Sequence, residues 1–160
     1  MEARKQDLLT SIGLLILRVG VAGYMVTHGW GKVQMLRAGA PFGDPIGLGP
    51  QTSLVLATFA EFVCALLVLF GLGTRLAAVP VAFTMAVAAF VAHGNDPWTA
   101  GEGYKLFAAG QTKMPLSKEP ALVFMVAFLA LVFTGAGRFS LDGLLWPRLR
   151  RRKAASPEAA

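Results

Sequence analysis

Charged residues are scarce in this chain of 160 residues. Asp, Glu, Lys and Arg together make up 15% of the sequence, while hydrophobic residues make up 55% and the mean hydropathy is +0.58. A typical soluble domain carries about 25% charged residues. The composition therefore excludes an ordinary water-soluble fold, and the length favours a single domain.

Cysteine is almost absent, since Cys64 is the only one. A single cysteine excludes an internal disulfide and any CxxC redox or zinc motif, and we interpret Cys64 as a small buried apolar residue. Walker, Rossmann, nucleophile-elbow and haem-attachment motifs are also missing. The net charge of +6 lies beside long apolar runs, with no recognition motif, so it indicates a membrane flank and no nucleic-acid partner.

Long apolar runs are what the chain does have. They cover about residues 8–30, 52–70, 76–93 and 120–136, and a membrane-spanning helix needs about 20 such residues. A soluble four-helix bundle would need a polar stripe on each helix, and the third run has almost none. The sequence predicts an all-α, integral membrane four-helix bundle over residues 1–147, with a basic, disordered tail at 148–160.

The distribution of Lys and Arg predicts the orientation of the helices, because cytoplasmic flanks are enriched in both. Nine basic residues lie on the side of the termini and of the tight turn between the second and third runs: Arg4, Lys5, Arg75, Arg138, Arg148, Arg150, Arg151, Arg152 and Lys153. Five lie on the other side: Lys32, Arg37, Lys105, Lys113 and Lys118. We therefore expect a multi-pass protein of the cell membrane with both termini in the cytoplasm.

Two ionisable residues of opposite sign, Arg18 and Glu61, fall inside the first and second runs. A charge in hydrocarbon costs about 2.5–3.5 kcal/mol on insertion scales and needs a partner or a purpose. Both residues have similar expected depths on adjacent antiparallel helices, so we expect an Arg18–Glu61 ion pair. Such a pair either fixes the register of two helices or forms a proton or ligand site, and the sequence leaves both open.

A second polar group is expected at the outer ends of the spans. His28 and Lys32 are four residues apart and share a helix face, and His93 closes the third run at the same level. These side chains fit ordinary interfacial contacts, proton exchange or hydrogen bonding to a quinone headgroup. Two histidines without a third ligand do not predict a metal site.

Several short motifs resemble the DoxX family of small four-helix membrane proteins, which is related to the membrane subunit of thiosulfate:quinone oxidoreductase. The resemblance extends from about residue 14 to 145. The matching pieces are Leu17-Arg18-Val19-Gly20, His28-Gly29 with Lys32, Glu61, the turn Leu69-Phe70-Gly71-Leu72-Gly73-Thr74-Arg75, Ala88 to His93, and the closing block Gly135-Ala136-Gly137-Arg138-Phe139-Ser140-Leu141-Asp142. The closing block is the most specific of them.

The resemblance implies a subunit or accessory component of a redox-linked system of the inner membrane, coupled to quinone or to thiols and sulfur. It implies assembly with other proteins or with further copies of the chain, quinone as the candidate cofactor, and a place in an oxidoreductase without itself assigning catalysis. The alternatives are a non-catalytic membrane scaffold and a small transporter. The candidate site comprises Arg18, Glu61, His28, Lys32 and His93.

Overall fold

The computed structural model describes residues 2–145 and contains no β-strand within that range. Its helices are α1 (Glu2–Ala38), α2 (Pro50–Phe70), α3 (Thr74–Ala92), α4 (Ala100–Ala108) and α5 (Glu119–Thr134). The predicted runs at 52–70, 76–93 and 120–136 correspond to α2, α3 and α5 within about three residues. The predicted disordered tail at 148–160 lies outside the described residues.

Three of the helices, α1, α2 and α3, are long and apolar enough to cross a membrane. The all-helical membrane prediction is therefore confirmed. Helix α5 is as apolar but has only 16 residues, about 24 Å at 1.5 Å per residue. Helix α4 was not predicted; it begins with a capping box in which Thr99 and Glu102 each bond the other's backbone N–H.

Helix α1 is longer than the predicted segment 8–30, since it begins at residue 2 and has 37 residues. Its N-terminal part runs beyond the turn that joins α2 to α3. There Ser11 and Leu14 pack against Gly137, which lies in the segment after α5. The stretch of α1 that runs beside α2 is therefore its C-terminal half.

The core between the helices is built largely from small side chains. Ala22, Ala65 and Ala78 have no exposed surface, and Phe128 and Leu131 of α5 fill the space that these small residues leave. Close approach of this kind replaces the hydrophobic driving force that lipid does not supply. Ala78 and Ala82, one turn apart on α3, are buried, and Ala86, one turn further, is partly buried, so small residues line the contact face of this helix.

Both α2 and α3 contain a π-helical segment, Phe59–Cys64 in α2 and Ala88–Ala92 in α3. A π-helical segment widens the backbone by one residue per turn, is rare, and is found frequently at functional sites. Glu61 lies inside the first segment, and His93 directly follows the second. The two irregularities thus fall beside two residues that the sequence predicts to be functional.

Carboxylates outside the apolar core cap two of the spanning helices. Asp142 accepts hydrogen bonds from the backbone N–H groups of Gly73 (2.8 Å) and Thr74 (3.1 Å) at the start of α3. Asp44 accepts hydrogen bonds from Gly49 N–H (2.9 Å) and from the Ser53 hydroxyl (2.7 Å) at the start of α2. The hydrogen bond from Ser53, with smaller backbone contributions, lowers the pKa of Asp44.

Candidate functional site

The buried carboxylate Glu61 is paired with Lys32. The distance from Lys32 Nζ to Glu61 Oε2 is 2.6 Å, and the two side chains are 20% and 4% exposed. An ion pair as short as this in an apolar setting is a charge-assisted hydrogen bond, which compensates part of the cost of removing both charges from water. Lys32 and Glu61 are therefore a single polar unit within the wall of the bundle.

Gly29 makes the approach of α1 to α2 possible at this point. A Cβ atom at residue 29 would collide with the backbone of Glu61 and Phe62. The backbone of α1 thus rests directly on the π-helical segment, one turn before Lys32. In the His28-Gly29 and Lys32 motif, Gly29 thus provides the contact with the backbone of Glu61, and Lys32 provides the cation for its carboxylate.

The predicted Arg18–Glu61 pair is wrong. The Arg18 guanidinium donates hydrogen bonds to the backbone carbonyls of Phe139 (2.6 Å) and Ala136 (3.5 Å), and it packs against Gly71 at the end of α2. Glu61 is ten residues from Gly71, about 15 Å along a helix. The predicted depth of Arg18 assumed that α1 enters the membrane near residue 8. In the structure, the part of α1 that precedes Arg18 extends beyond the α2–α3 turn, so Arg18 lies level with the end of α2.

Arg18 instead holds the chain segment that follows α5. Three of the motifs that resemble the DoxX family converge there: Arg18 itself, the Gly71–Thr74 turn, and the closing block that ends at Asp142. Asp142 joins the last two, because it caps α3 and donates its backbone N–H to Gly71 O at 2.9 Å. Sequence reasoning overlooked Asp142 as a partner, although it belongs to the most specific block.

A cavity of about 460 Å³ lies beside the Lys32–Glu61 pair, between the N-terminal half of α2 and the C-terminal half of α3. The two π-helical segments contribute Phe59, Glu61 and Ala88 to its wall. The loop before α2 covers it with further apolar side chains, Phe42, Pro45 and Ile46. A mostly apolar cavity with a few polar groups is typical of sites for small molecules.

His93 lines the same cavity and is paired with Asp96. The distance from His93 Nδ1 to Asp96 Oδ2 is 2.7 Å, and both side chains are about one-third exposed. A carboxylate that bonds Nδ1 fixes the orientation of the ring, and Nε2 is then the ring nitrogen left for another partner. The cavity is thus bordered by the buried Lys32–Glu61 ion pair and by His93, which belongs to a partly exposed His–Asp pair.

The remaining predicted residue, His28, faces away from this cavity. Its ring contacts Phe124 of α5 edge-on, with ring centroids 6.0 Å apart. The structure therefore brings together Lys32, Glu61 and His93, and it separates them from His28 and Arg18. Among residues 2–145 there is no group of three His, Cys, Asp or Glu side chains that could hold a metal ion.

The fold and site define a helical membrane protein with an ion pair buried beside an apolar cavity. The DoxX family model matches residues 13–94, and the chain belongs to this family. It is 31% identical over 137 residues to "Inner membrane protein YqjF" of Escherichia coli, covering 86% of this chain and 95% of that protein. It is 33% identical over 134 residues to an uncharacterised protein of Haemophilus influenzae, covering 81% and 87% respectively. No solved structure matches the chain.

Proposed function

We propose that this DoxX protein is a subunit or accessory component of a redox-linked system of the inner membrane, and that it binds a quinone in the cavity beside Lys32 and Glu61. One observation carries the proposal: a buried carboxylate–ammonium pair forms the polar wall of a cavity that is otherwise apolar. Ionisable groups at such depth are costly, and in membrane proteins they mark ligand and proton pathways.

The chemistry of the cavity suits a quinone headgroup. Lys32 presents donors to a carbonyl oxygen of the quinone, Glu61 presents an acceptor to a hydroxyl of the reduced quinol, and His93, also in the cavity wall, can do either. Phe59 and the apolar roof contact the ring. The sequence contains no motif for a resident redox cofactor, and its single cysteine cannot form an internal disulfide, so the redox role requires a bound cofactor or partner protein.

The proposal includes four spans, with α5 as the fourth and both termini in the cytoplasm. Helix α5 packs along α3 through buried Phe128 and Leu131, while Val123, Val126 and Phe133 form an apolar outer face more than 60% exposed. Its length of about 24 Å is short for a bilayer core of about 30 Å, and local thinning accommodates a short span at modest cost. The charge bias of nine to five supports the orientation.

Cysteine labelling in intact cells tests this topology. In a Cys64→Ala background, we expect Ala109→Cys to react with an impermeant maleimide added outside, and Ser156→Cys to react only after permeabilisation. Reaction of both from outside would mean that α5 does not cross the membrane.

Quinone binding tests the function. Wild-type protein purified in mild detergent is titrated with a short-chain benzoquinone, and the quenching of tryptophan fluorescence is followed; Trp30 packs on Phe62, next to Glu61. We expect Lys32→Met to weaken binding at least tenfold, about 1.4 kcal/mol. The matched control Lys105→Met, which removes an exposed charge from α4, should change the affinity less than twofold.

Two outcomes contradict the proposal. If the wild-type protein binds no quinone, and none is extracted with it, the chain is better explained as a scaffold. If binding survives in both Lys32→Met and Glu61→Gln, the site lies elsewhere. Glu61→Gln preserves the shape of the side chain and keeps the test valid should Lys32→Met fold poorly.

A further inference from the structure

A second cavity adjoins the first one on the side of the α2–α3 turn. It has a volume of about 570 Å³ and lies between the inner halves of α2 and α3, with Asp142 and Leu145 of the segment after α5 also in its wall. Phe59 and Pro80 line both cavities. The two spaces therefore adjoin at these two side chains, and we call them together the groove, which extends from the loop at Phe42 to Leu72.

The inner part of this groove is apolar along most of its length. Cys64 and Ala77 are buried in its wall, and Leu67 and Leu76 lie towards its open side with 36% and 82% exposure. In a membrane, that open side faces acyl chains. From Glu61 to Phe70, where α2 ends, the helix rises over nine residues by about 14 Å, so the inner part can receive an extended hydrocarbon chain.

The polar end of the groove carries no net positive charge. Lys32 is neutralised by Glu61 at 2.6 Å, and the partner of His93 is the carboxylate of Asp96 at 2.7 Å. A phosphate headgroup would need an unpaired cation or a fork of donors. The charge balance therefore disfavours an anionic phospholipid and favours an uncharged headgroup that both accepts and donates hydrogen bonds.

From these observations we infer that the groove binds an isoprenoid quinone as a whole, with the head in the outer cavity and the tail in the inner one. The ligand enters sideways from the lipid, between α2 and α3, and does not come from the aqueous phase. The inference rests on the proposed quinone site and adds to it the tail-binding groove, the route of entry and the exclusion of anionic lipids.

The test compares a quinone carrying a ten-carbon tail with the same head lacking a tail, each titrated against three proteins. Leu67→Trp fills the inner groove without touching the outer cavity. Val126→Trp is the matched control, because Val126 is 62% exposed on α5 and lines neither cavity. Detergent partitioning of each ligand is common to all three proteins, so the ratio of affinities isolates the groove.

We expect Leu67→Trp to weaken binding of the tailed quinone at least tenfold and to leave the tail-free quinone unchanged, while Val126→Trp changes neither. Leu76→Trp, at the open side, should give the same pattern and replaces Leu67→Trp if that variant misfolds. Unchanged affinity for the tailed ligand in both groove variants would overturn the tail groove but leave the quinone head site standing. Failure of both ligands to bind the wild-type protein would overturn the proposed function as well.

Phospholipid competition tests the charge argument separately. Tailed quinone bound to the wild-type protein is challenged with mixed micelles containing either phosphatidylglycerol or phosphatidylcholine. We expect neither lipid to displace the quinone at a tenfold molar excess. Selective displacement by phosphatidylglycerol would show that the head site prefers an anion, and the inference of an uncharged headgroup would be wrong.

Discussion

Removing Lys32 should cost the protein more stability than removing Glu61, although the two residues form one pair. Lys32→Met leaves a carboxylate that is 4% exposed without its partner, and breaking a buried pair typically costs about 3–5 kcal/mol. Glu61→Gln leaves an ammonium that is 20% exposed on a flexible stem, which can turn towards the nearer membrane interface. For that variant the lost charged hydrogen bond sets the scale, about 1.5–3 kcal/mol.

A double-mutant cycle turns this asymmetry into a measurement of contact. The free energy of unfolding is measured by titrating mixed micelles with a denaturing detergent, for the wild type, both single variants, and Lys32→Met with Glu61→Gln. We expect the double variant to be more stable than the sum of the single changes by about 0.5–3 kcal/mol. The comparison cycle pairs Arg18→Met with Glu61→Gln, which should be additive within about 0.5 kcal/mol because the side chains do not meet.

The two cycles together are decisive for the geometry. Additivity in the Lys32–Glu61 cycle would refute the ion pair, whatever the sizes of the single effects. Coupling in the Arg18–Glu61 cycle would restore the pair that the sequence suggested and would contradict the position of α1 along α2.

Three further changes test the packing and the loop. Gly29→Ala should destabilise the bundle by about 1–3 kcal/mol in the same unfolding assay, because the new methyl group overlaps the backbone of Glu61. The control Gly31→Ala has open space around it and should be neutral or slightly stabilising. Equal effects of the two changes would contradict the close contact. Ala82→Leu should lower the melting temperature in detergent, because Ala82 is only 5% exposed and lies between helices. The control Val79→Leu, at a residue that is 49% exposed, should leave the melting temperature unchanged. A normal melting temperature for Ala82→Leu would place Ala82 against lipid. Asp44→Asn should be less stable than wild type at neutral pH, and the difference should vanish as the pH falls through the depressed pKa of Asp44. The reason is that a carboxylate with a lowered pKa stabilises the fold only while it is ionised. A difference that persists in acid would mean that Asp44 acts without its charge.

The sequence predicted the helices well because their main determinant is local. A run of about 20 apolar residues forms a helix in a membrane whatever its neighbours are, since every backbone polar group must be satisfied within the segment. The three predicted segments at 52–70, 76–93 and 120–136 depend only on this rule. The start of α1 was predicted six residues too late, because the segment from Glu2 to Asp7 is mostly polar and yet helical. Hydropathy identifies the part of a helix that suits a membrane, and it does not identify where the helix begins.

The pairing of the charges could not be predicted in the same way, because it depends on register. A shift of α1 along α2 by about four turns decides whether Arg18 or Lys32 meets Glu61, because the two residues are fourteen positions apart. The apolar composition of two neighbouring helices does not specify their relative position along the axis. Two local features set the register: Gly29, which allows contact with the π-helical segment, and Gly71, which leaves space for the Arg18 guanidinium. Both glycines stand in the quoted motifs, so spacing between motifs held more information than the estimated depth of each charge.

The two polar centres of the bundle differ in ways that bear on the choice between a structural pair and a ligand site. Both terminal nitrogens of the Arg18 guanidinium donate to backbone carbonyls of one segment, while its buried Nε has no partner, and this arrangement fixes the position of the chain after α5. Glu61 has a single side-chain partner, lies in an irregular helix and borders a cavity. A charge needed only to hold helices in register gains nothing from a neighbouring cavity. The role of holding chain segments in position is thus best assigned to Arg18. The proposed ligand chemistry is best assigned to the pair of Lys32 and Glu61.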